Sequence, residues 1–348
     1  MSKSEGNVID PLDMIEKYGT DALRFTLAAL AIPGMDLSLS EERMAGYRAF
    51  ANKIWNASRF VLMNIDAEDF EIKEQELTLA DRWIRSRTDR MIEELNEALE
   101  AYKFYEAADK IYHFIWHEFC DWYIELVKPA LKEKNKTSKT VLVESMDLIL
   151  KLLHPFMPFI TEEIWQHLPS SQKSLALAPF PESDSSLRDE KAEREMGLLQ
   201  KAIVEVRTIR AENRIPPQAG IELWMKVKNN EEKSMIETHQ IYFQTLANIQ
   251  NIEFVDQFPL EKRLLKGVVG SWEMAIPLEG VLNLEQEKMR LEREISKLSL
   301  DTEKLEKRLK NKDFIDRAPE NVVLETKEKL KSLQNRKAKL EESFRNIP

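Results

Sequence analysis

The sequence predicts a mainly α-helical chain: a helix bundle, then a small α+β module, then a C-terminal antiparallel coiled-coil hairpin. Three observations predict it. Only nine glycines occur among 348 residues, and heavy use of Leu, Glu, Lys and Ala favours helix, because these side chains lose little freedom there. Apolar residues recur at helical spacing up to residue 213, then alternate with period two in three short stretches between 221 and 276. The last part of the chain returns to a repeat of four and three, the spacing of a coiled-coil seam.

The chain opens on a polar loop, Met1-Ser2-Lys3-Ser4-Glu5-Gly6-Asn7. A lysine between two serines and followed by glycine suits a phosphate-gripping loop, since lysine supplies charge and small residues let the backbone approach. The same composition suits an ordinary surface turn. Asp10-Pro11 then starts a helical run with Leu12, Ile15 and Tyr18 on one side. A second helix over 21–32 stops at Pro33-Gly34, with a short extended piece over 36–40. Ser40 starts a long helix over 41–65. Its apolar stripes are Phe50, Ile54, Ala57 and Val61, with Met44, Tyr47 and Ala51. Arg48, Asn52, Asn56 and Arg59, with Lys53 beside them, recur on its polar side, as either a solvated face or a ligand face.

After an acidic linker over 67–76, four helices are expected over 79–101, 104–132, 139–154 and 159–168. The second carries Phe104, Ala108, Ile111, Phe114, Ile115, Phe119, Trp122 and Val127, a density that belongs in a bundle core. Trp83, Trp116, Trp122 and Trp165 read as core aromatics, and His154, before the break at Pro155 and Pro158, as a satisfied turn histidine. A Ser- and Pro-rich stretch over 168–186 reads as a linker. A helix over 188–213 ends at Pro216-Pro217. It carries Arg207, Arg210 and Arg214 at a spacing expected to place them on one side. Arg82, Arg85, Arg87 and Arg90 form another basic group, expected to be either a face paired with glutamates or an open contact face. Strands are expected over 221–227, 252–255 and 271–276, with a helix over 231–247 between the first two.

In the tail, Val281, Leu284, Lys288, Leu291, Ile295, Leu298, Thr302, Leu305 and Leu309 form one seam. After a turn over 311–320 a second seam follows: Val323, Thr326, Leu330, Leu333, Lys337, Leu340 and Phe344. Two such arms fold back as an antiparallel hairpin about 45 Å long at 1.5 Å per residue. Over 281–348 there are 17 Lys and Arg against 14 Asp and Glu, in a chain whose net charge is −10. RNA binding would therefore rest on local basic faces rather than bulk charge.

Hydrophobic content is 43%, ordinary for a globular chain, and no apolar run approaches a membrane span. The single cysteine, Cys120, excludes an internal disulfide and reads as a buried thiol in a reducing compartment. No Cys/His spacing suggests a metal site. Met1 leads straight into a polar loop rather than a secretory signal, so a cytoplasmic location is expected.

The string Ser2-Lys3-Ser4-x-Gly6-Asn7-x-Ile9-Asp10-Pro11, continuing into Tyr18-Gly19-x-Asp21-Ala22-Leu23-Arg24, resembles the "KMSKS" loop of class I aminoacyl-tRNA synthetases. The 48–60 segment Arg-Ala-Phe-Ala-Asn-Lys-Ile-Trp-Asn-Ala-Ser-Arg-Phe, Phe119-Cys-Asp-Trp-Tyr123 and Leu153-His-Pro-Phe-Met-Pro-Phe-Ile-Thr-Glu-Glu-Ile-Trp165 extend the resemblance. With the C-terminal hairpin, they make the chain similar to the bacterial valyl-tRNA synthetase family. The resemblance implies four parts: the end of a catalytic domain over 1–40, an anticodon-binding helix bundle over 41–186, a linking helix and α+β module over 187–278, and a coiled-coil tRNA-binding arm over 279–348.

It further implies that Lys3, flanked by Ser2 and Ser4, holds the phosphates of ATP with its Mg in the full-length enzyme. Lys53, Phe60 and Ile124 are implied to meet anticodon bases, with Arg48, Asn52, Asn56, Arg207, Arg210 and Arg214 as further tRNA contacts. Two arginines of some family members fall here at Ser38 and Glu42, a departure from the pattern. No His-x-Gly-His motif occurs in the sequence. The expectation is therefore a monomeric C-terminal portion that binds tRNA-Val without itself holding ATP or aminoacylating. Two other readings stand beside it: a helical protein-interaction module without RNA binding, and the corresponding part of an isoleucyl or leucyl enzyme.

Overall fold

The computed structural model describes residues 10–34, 39–64, 72–169, 173–259, 261–278 and 284–310, with 329, 330, 333, 334 and 337. The Ser2-Lys3-Ser4 loop, Ser38, the expected turn over 311–320 and most of the second arm lie outside these residues. The chain divides into two compact units. One comprises 1–207 with 227–249 and 268–272; the other comprises 208–226, 250–267 and 273–348.

The first unit is helical. α1 (Pro11–Tyr18) starts where Asp10 Oδ1 accepts from Leu12 N at 2.8 Å. It meets α2 (Thr20–Leu30) at Gly19, whose φ of +93° is open to glycine and strained for other residues. α3 (Glu41–Met63) is capped by Ser40, and Met44, Phe50, Ile54, Ala57 and Val61 are buried along it. The bundle continues with α4 (Leu79–Glu100), α5 (Phe104–His113), a π-helical segment (Phe114–Tyr123), α6 (Ile124–Lys132), α7 (Lys136–Leu153) and α8 (Pro158–Trp165). Phe25 and Phe50 lie in its core, 5.5 Å apart between centroids, and half-buried Tyr112 and Trp116 pack against Phe50, Trp116 at 6.3 Å. Trp83 and Trp165 are buried as expected, whereas Trp116 and Trp122 line the edge of the bundle rather than its core.

The expected uninterrupted helix over 104–132 is thus three segments, and the reason lies in its spacing. Ile111, Ile115, Phe119, Tyr123 and Val127 are all buried and recur every four residues. Each four-residue step overshoots the 3.6-residue α turn. A run of wider i→i+5 turns keeps such a repeat on one side. The seam overrides the regular helix.

A polar centre ties α4, α7 and the π segment together. The fully buried Asp81 carboxylate accepts from Thr78 N at 3.0 Å, Thr78 Oγ1 at 2.7 Å, Ser138 Oγ at 2.6 Å and Tyr123 OH at 3.0 Å. These bonds satisfy a charge that burial alone would make costly. Asp21 is the equivalent tie between α2 and α8. Its oxygens accept from Phe159 N at 3.2 Å and Ile160 N at 2.7 Å, while burial raises its pKa against those bonds. The Ser- and Pro-rich stretch is anchored to α4: Asn96 Nδ2 donates to Pro181 O at 3.0 Å and Asp184 N to Asp89 Oδ1 at 2.6 Å. The expected 231–247 helix is broken at His239 into α10 (Asn230–Thr238) and α11 (Gln240–Ala247). Both group with the bundle, where Tyr242 OH accepts from Ala80 N at 3.3 Å.

α9 (Glu190–Glu212) leads into a four-stranded sheet of order β2-β1-β4-β3, most of whose residues belong to the second unit. The strands are β1 (Ile221–Lys226), β2 (Ile249–Phe254), β3 (Leu264–Val269) and β4 (Trp272–Pro277). β1 and β4 pair antiparallel, with Trp224 opposite Ala275 and Met225 opposite Met274. β3 is an addition to the expected strands. Its Leu264-Leu265 start and buried Gly267 do not alternate, so period two was not visible there. α12 (Leu284–Lys310) follows, with Leu298 and Thr302 buried.

Candidate nucleic-acid interface

The polar side of α3 faces the π-helical segment. Lys53 Nζ makes an ion pair with Asp121 Oδ1 at 2.5 Å and sits 3.9 Å from the Trp116 ring centroid. Its ammonium is therefore bound from one side by charge and from another by a π face. Asp121 Oδ2 lies 3.3 Å from His117 Nδ1. Behind this surface is Cys120, whose thiol burial pushes up to about 12. Its side chain is half-buried rather than fully buried, and a thiol so raised holds little thiolate at neutral pH.

Phe60 is half-buried one helical stretch further along α3, with Lys128 Nζ 5.7 Å from its ring centroid. Ile124 is one turn before Lys128 on α6 and is buried at 8% exposure. Lys53 thus meets Asp121 of the π-helical segment and Phe60 meets Lys128 of α6, while Ile124 is buried rather than an exposed contact. Asn52 and Asn56 are exposed on α3. Arg48 is exposed too, but its Nη1 donates to Lys17 O at 2.8 Å, so part of its guanidinium clamps α1. Glu42 lies exposed in the first turn of α3.

The other basic groups divide differently. Arg82 pairs with Asp189 at 3.0 Å, Arg85 with Glu74 at 2.9 Å, Arg87 with Glu118 at 2.6 Å and Arg90 with Glu193 at 2.7 Å. This is the glutamate- and aspartate-paired face, not an open basic one. The common side expected for Arg207, Arg210 and Arg214 does not form. Arg210 is 5% exposed and its Nη2 donates to the carbonyls of Pro216, Pro217 and Ala219. It closes the turn after α9, and desolvation lowers its pKa. Arg214 lies past the helix end in the left-handed region at φ +55°, which breaks the helical spacing. Arg207 is exposed, donating to Leu246 O at 2.8 Å with its guanidinium 5.8 Å from the Trp122 ring centroid. His154 is the satisfied turn histidine expected, with Nδ1 2.8 Å from Thr161 Oγ1.

Sequence reading missed the cation–π seat of Lys53 on Trp116, the cover of Phe60 by Lys128, and a pair of stacked imidazoles at His113 and His117. The four-residue recurrence along 109–121 was the available signal for the last. Among the described residues no helix is long and apolar enough to cross a membrane.

Three families match separate parts of the chain. Residues 81–224 match the anticodon-binding domain of tRNA ligases, residues 283–348 the valyl tRNA synthetase tRNA binding arm, and residues 1–40 the class I tRNA synthetases (I, L, M and V). The valine–tRNA ligase of Thermotoga maritima is 44% identical over 100% of this chain and 39% of its own length. That of Geobacter sulfurreducens is 42% identical over 100% of this chain and 40% of its own. A third, from Geobacillus kaustophilus, is 42% identical over 94% of this chain and 38% of its own. A structure of a leucyl-tRNA synthetase complex from Agrobacterium radiobacter K84 aligns over 54% of this chain and 23% of its own, at 24% identity and a TM-score of 0.45, too low to carry an argument.

A class I start, an anticodon-binding bundle and a tRNA-binding arm in one chain define a class I aminoacyl-tRNA synthetase. The chain belongs to the valyl-tRNA synthetase family, as its C-terminal region. It spans about two fifths of the length of the relatives it matches, by the shares of 39% and 40%.

Proposed function

We propose that this chain binds tRNA-Val and reads its anticodon at the surface between α3 and the π-helical segment. Lys53 and Phe60 are the residues that meet the bases, with Ile124 behind them. The observation that carries this is a cation and an aromatic ring on α3 set against the π-helical segment and α6, Lys53 seated on Trp116 and Phe60 beside Lys128. Unpaired bases are recognised by stacking on such rings and by hydrogen bonds along their edges, while the cation serves a phosphate or a base acceptor.

The tail is the second contact in this proposal, an antiparallel hairpin laid along tRNA phosphates. Burial of Leu298 and Thr302, both seam positions, supports it, and so does a hydrogen bond from Gln334 Nε2 to Glu306 Oε1 at 3.0 Å between the two arms. In the whole protein we propose the activity of the relatives: attachment of valine to its tRNA through ATP, with editing, since a hydroxyl isostere of valine is hard to exclude by size. Lys3, Ser2 and Ser4, the residues implied to meet ATP, lie outside the described residues, and no step is derived through ATP. The chain by itself is proposed to bind as a cytoplasmic monomer without catalysing adenylation.

The test is equilibrium binding of the chain to a valine tRNA transcript and to the same transcript with its middle anticodon base changed, at low and moderate salt. Salt-sensitive binding that weakens with the base change supports anticodon reading. Binding indifferent to the base leaves only the phosphate-gripping arm. Binding to neither transcript hands the chain to the protein-interaction reading.

A further inference from the structure

A polar stripe runs along α5 and the π-helical segment at four-residue steps: Asp109, His113, His117 and Asp121. The imidazoles of His113 and His117 lie 5.5 Å apart at 18°, a parallel stack. Each is held by a carboxylate at the far end, His113 Nε2 3.3 Å from Asp109 Oδ1 and His117 Nδ1 3.3 Å from Asp121 Oδ2. Tyr112 steadies the first ring edge-on, at 5.5 Å and 85°. The two imidazole side chains nonetheless remain 57% and 55% exposed. The wide turns that align Ile115, Phe119 and Tyr123 toward the core align His113, His117 and Asp121 on the outside by the same spacing.

A pair of exposed histidines beside aspartates is, in most helices, a solvated face and no more. Two features distinguish this one. The stripe is continuous with the proposed anticodon surface, because Asp121 holds His117 with one oxygen and Lys53 with the other. Carboxylates also bracket it at both ends, so it repels phosphate and suits the neutral π face of a base.

We propose that His113 and His117 form a stacking subsite for one unpaired RNA base, adjacent in the strand to the nucleotide at Lys53. This rests on the anticodon-reading function above. The imidazole pair supplies the flat face, while Asp109 and Asp121 fix its orientation and turn the backbone of the strand away.

The experiment uses the full chain and a valine anticodon stem-loop RNA, with affinity measured by fluorescence anisotropy across a salt series. Variants are H113A/H117A and H113F/H117F, and K53A serves as the independent probe of the anticodon surface. A second RNA set carries an abasic nucleotide at each loop position in turn. Loss of one stacked base predicts about tenfold weaker binding by H113A/H117A, with an unchanged salt slope because no phosphate contact is removed. H113F/H117F retains wild-type affinity, and one abasic position abolishes the difference between wild type and H113A/H117A. Binding by H113A/H117A within twofold of wild type, while K53A loses affinity, overturns the subsite and leaves anticodon reading standing. A reduced salt slope without phenylalanine rescue overturns it in favour of a phosphate contact. No RNA binding by the wild-type chain overturns both.

Discussion

Lys53 and Asp121 are joined by an ion pair of 2.5 Å across 68 residues of sequence, and the same ammonium rests on the Trp116 ring. Both partners are partly exposed, at 24% and 46%, so the pair adds little to stability; such pairs contribute about 0–1 kcal/mol. Its consequence lies in binding, because it fixes a long flexible side chain at the surface before RNA arrives. Replacing Lys53 by Ala is expected to move the denaturant midpoint by less than about 1 kcal/mol equivalent. The slope of log affinity for tRNA against log salt should meanwhile fall in magnitude by about one. A large stability loss with an unchanged slope would make Lys53 a structural residue.

Asp81 is the opposite case, a carboxylate that holds the bundle and meets no solvent. Its four donors come from Thr78, Ser138 and Tyr123. D81A leaves several buried donors without an acceptor, at about 1–3 kcal/mol each. The expected loss is about 3 kcal/mol or more, read as a shift in urea midpoint. Y123F removes one donor and leaves the others, so about 1 kcal/mol is expected. Equal effects for the two variants would show that the network does not act through the carboxylate.

Arg210 separates structure from RNA contact within one basic cluster. Its guanidinium Nη2 donates to the carbonyls of Pro216, Pro217 and Ala219, bonds that an apolar side chain cannot make. R210M is expected to destabilise the second unit by about 1–3 kcal/mol through unmet carbonyls and to leave the salt slope for tRNA binding unchanged. R207A is expected to do the reverse, since Arg207 is exposed beside Trp122. Thermal unfolding and salt titration of the two variants together make the check.

Much of the fold was legible because helix signals are local. Ser40 caps α3 where the sequence starts that helix, and Pro155 and Pro158 mark the break before α8 where spacing and turn chemistry place it. The naming of Lys53, Phe60 and Ile124 rests on family resemblance, not on spacing, since the Lys53–Asp121 contact joins segments distant in sequence. The failures share one physical cause, tertiary contacts overriding a local pattern. The apolar repeat over 104–132 predicts one α-helix, whereas the core requires wide turns at 114–123. Helical spacing places Arg210 on a common face with Arg207, whereas the carbonyls of 216–219 draw it inward. β3 has no alternation of residue type to read, because a glycine holds its buried position 267 and a valine its exposed position 268.

Two histidines give the chain an acid limit above the usual carboxylate range. Burial lowers the pKa of His154, outweighing the nearby Glu162 and Asp21 carboxylates. Burial likewise lowers that of His239, with the Arg82 charge acting in the same direction against Glu195. Unfolded histidine titrates near about 6.5. Below that pH the unfolded chain takes up protons that these two folded imidazoles resist, so stability rises with pH through this window. Their contribution is present above about pH 6.5 and is lost as pH falls toward the depressed folded values. Glu162 and Glu193, whose pKa values are lowered, lose their contribution only at more acid pH, and Asp21 and Glu144, whose values burial raises, act in the opposite sense there. The melting temperature is therefore expected to fall between pH 7 and pH 5.5. Replacing His154 and His239 together by Gln, which keeps polarity without a titrating proton, should flatten that fall. A wild-type profile already flat across this range, or one equally steep in the double variant, would remove both histidines from the acid response and leave it to the carboxylates alone.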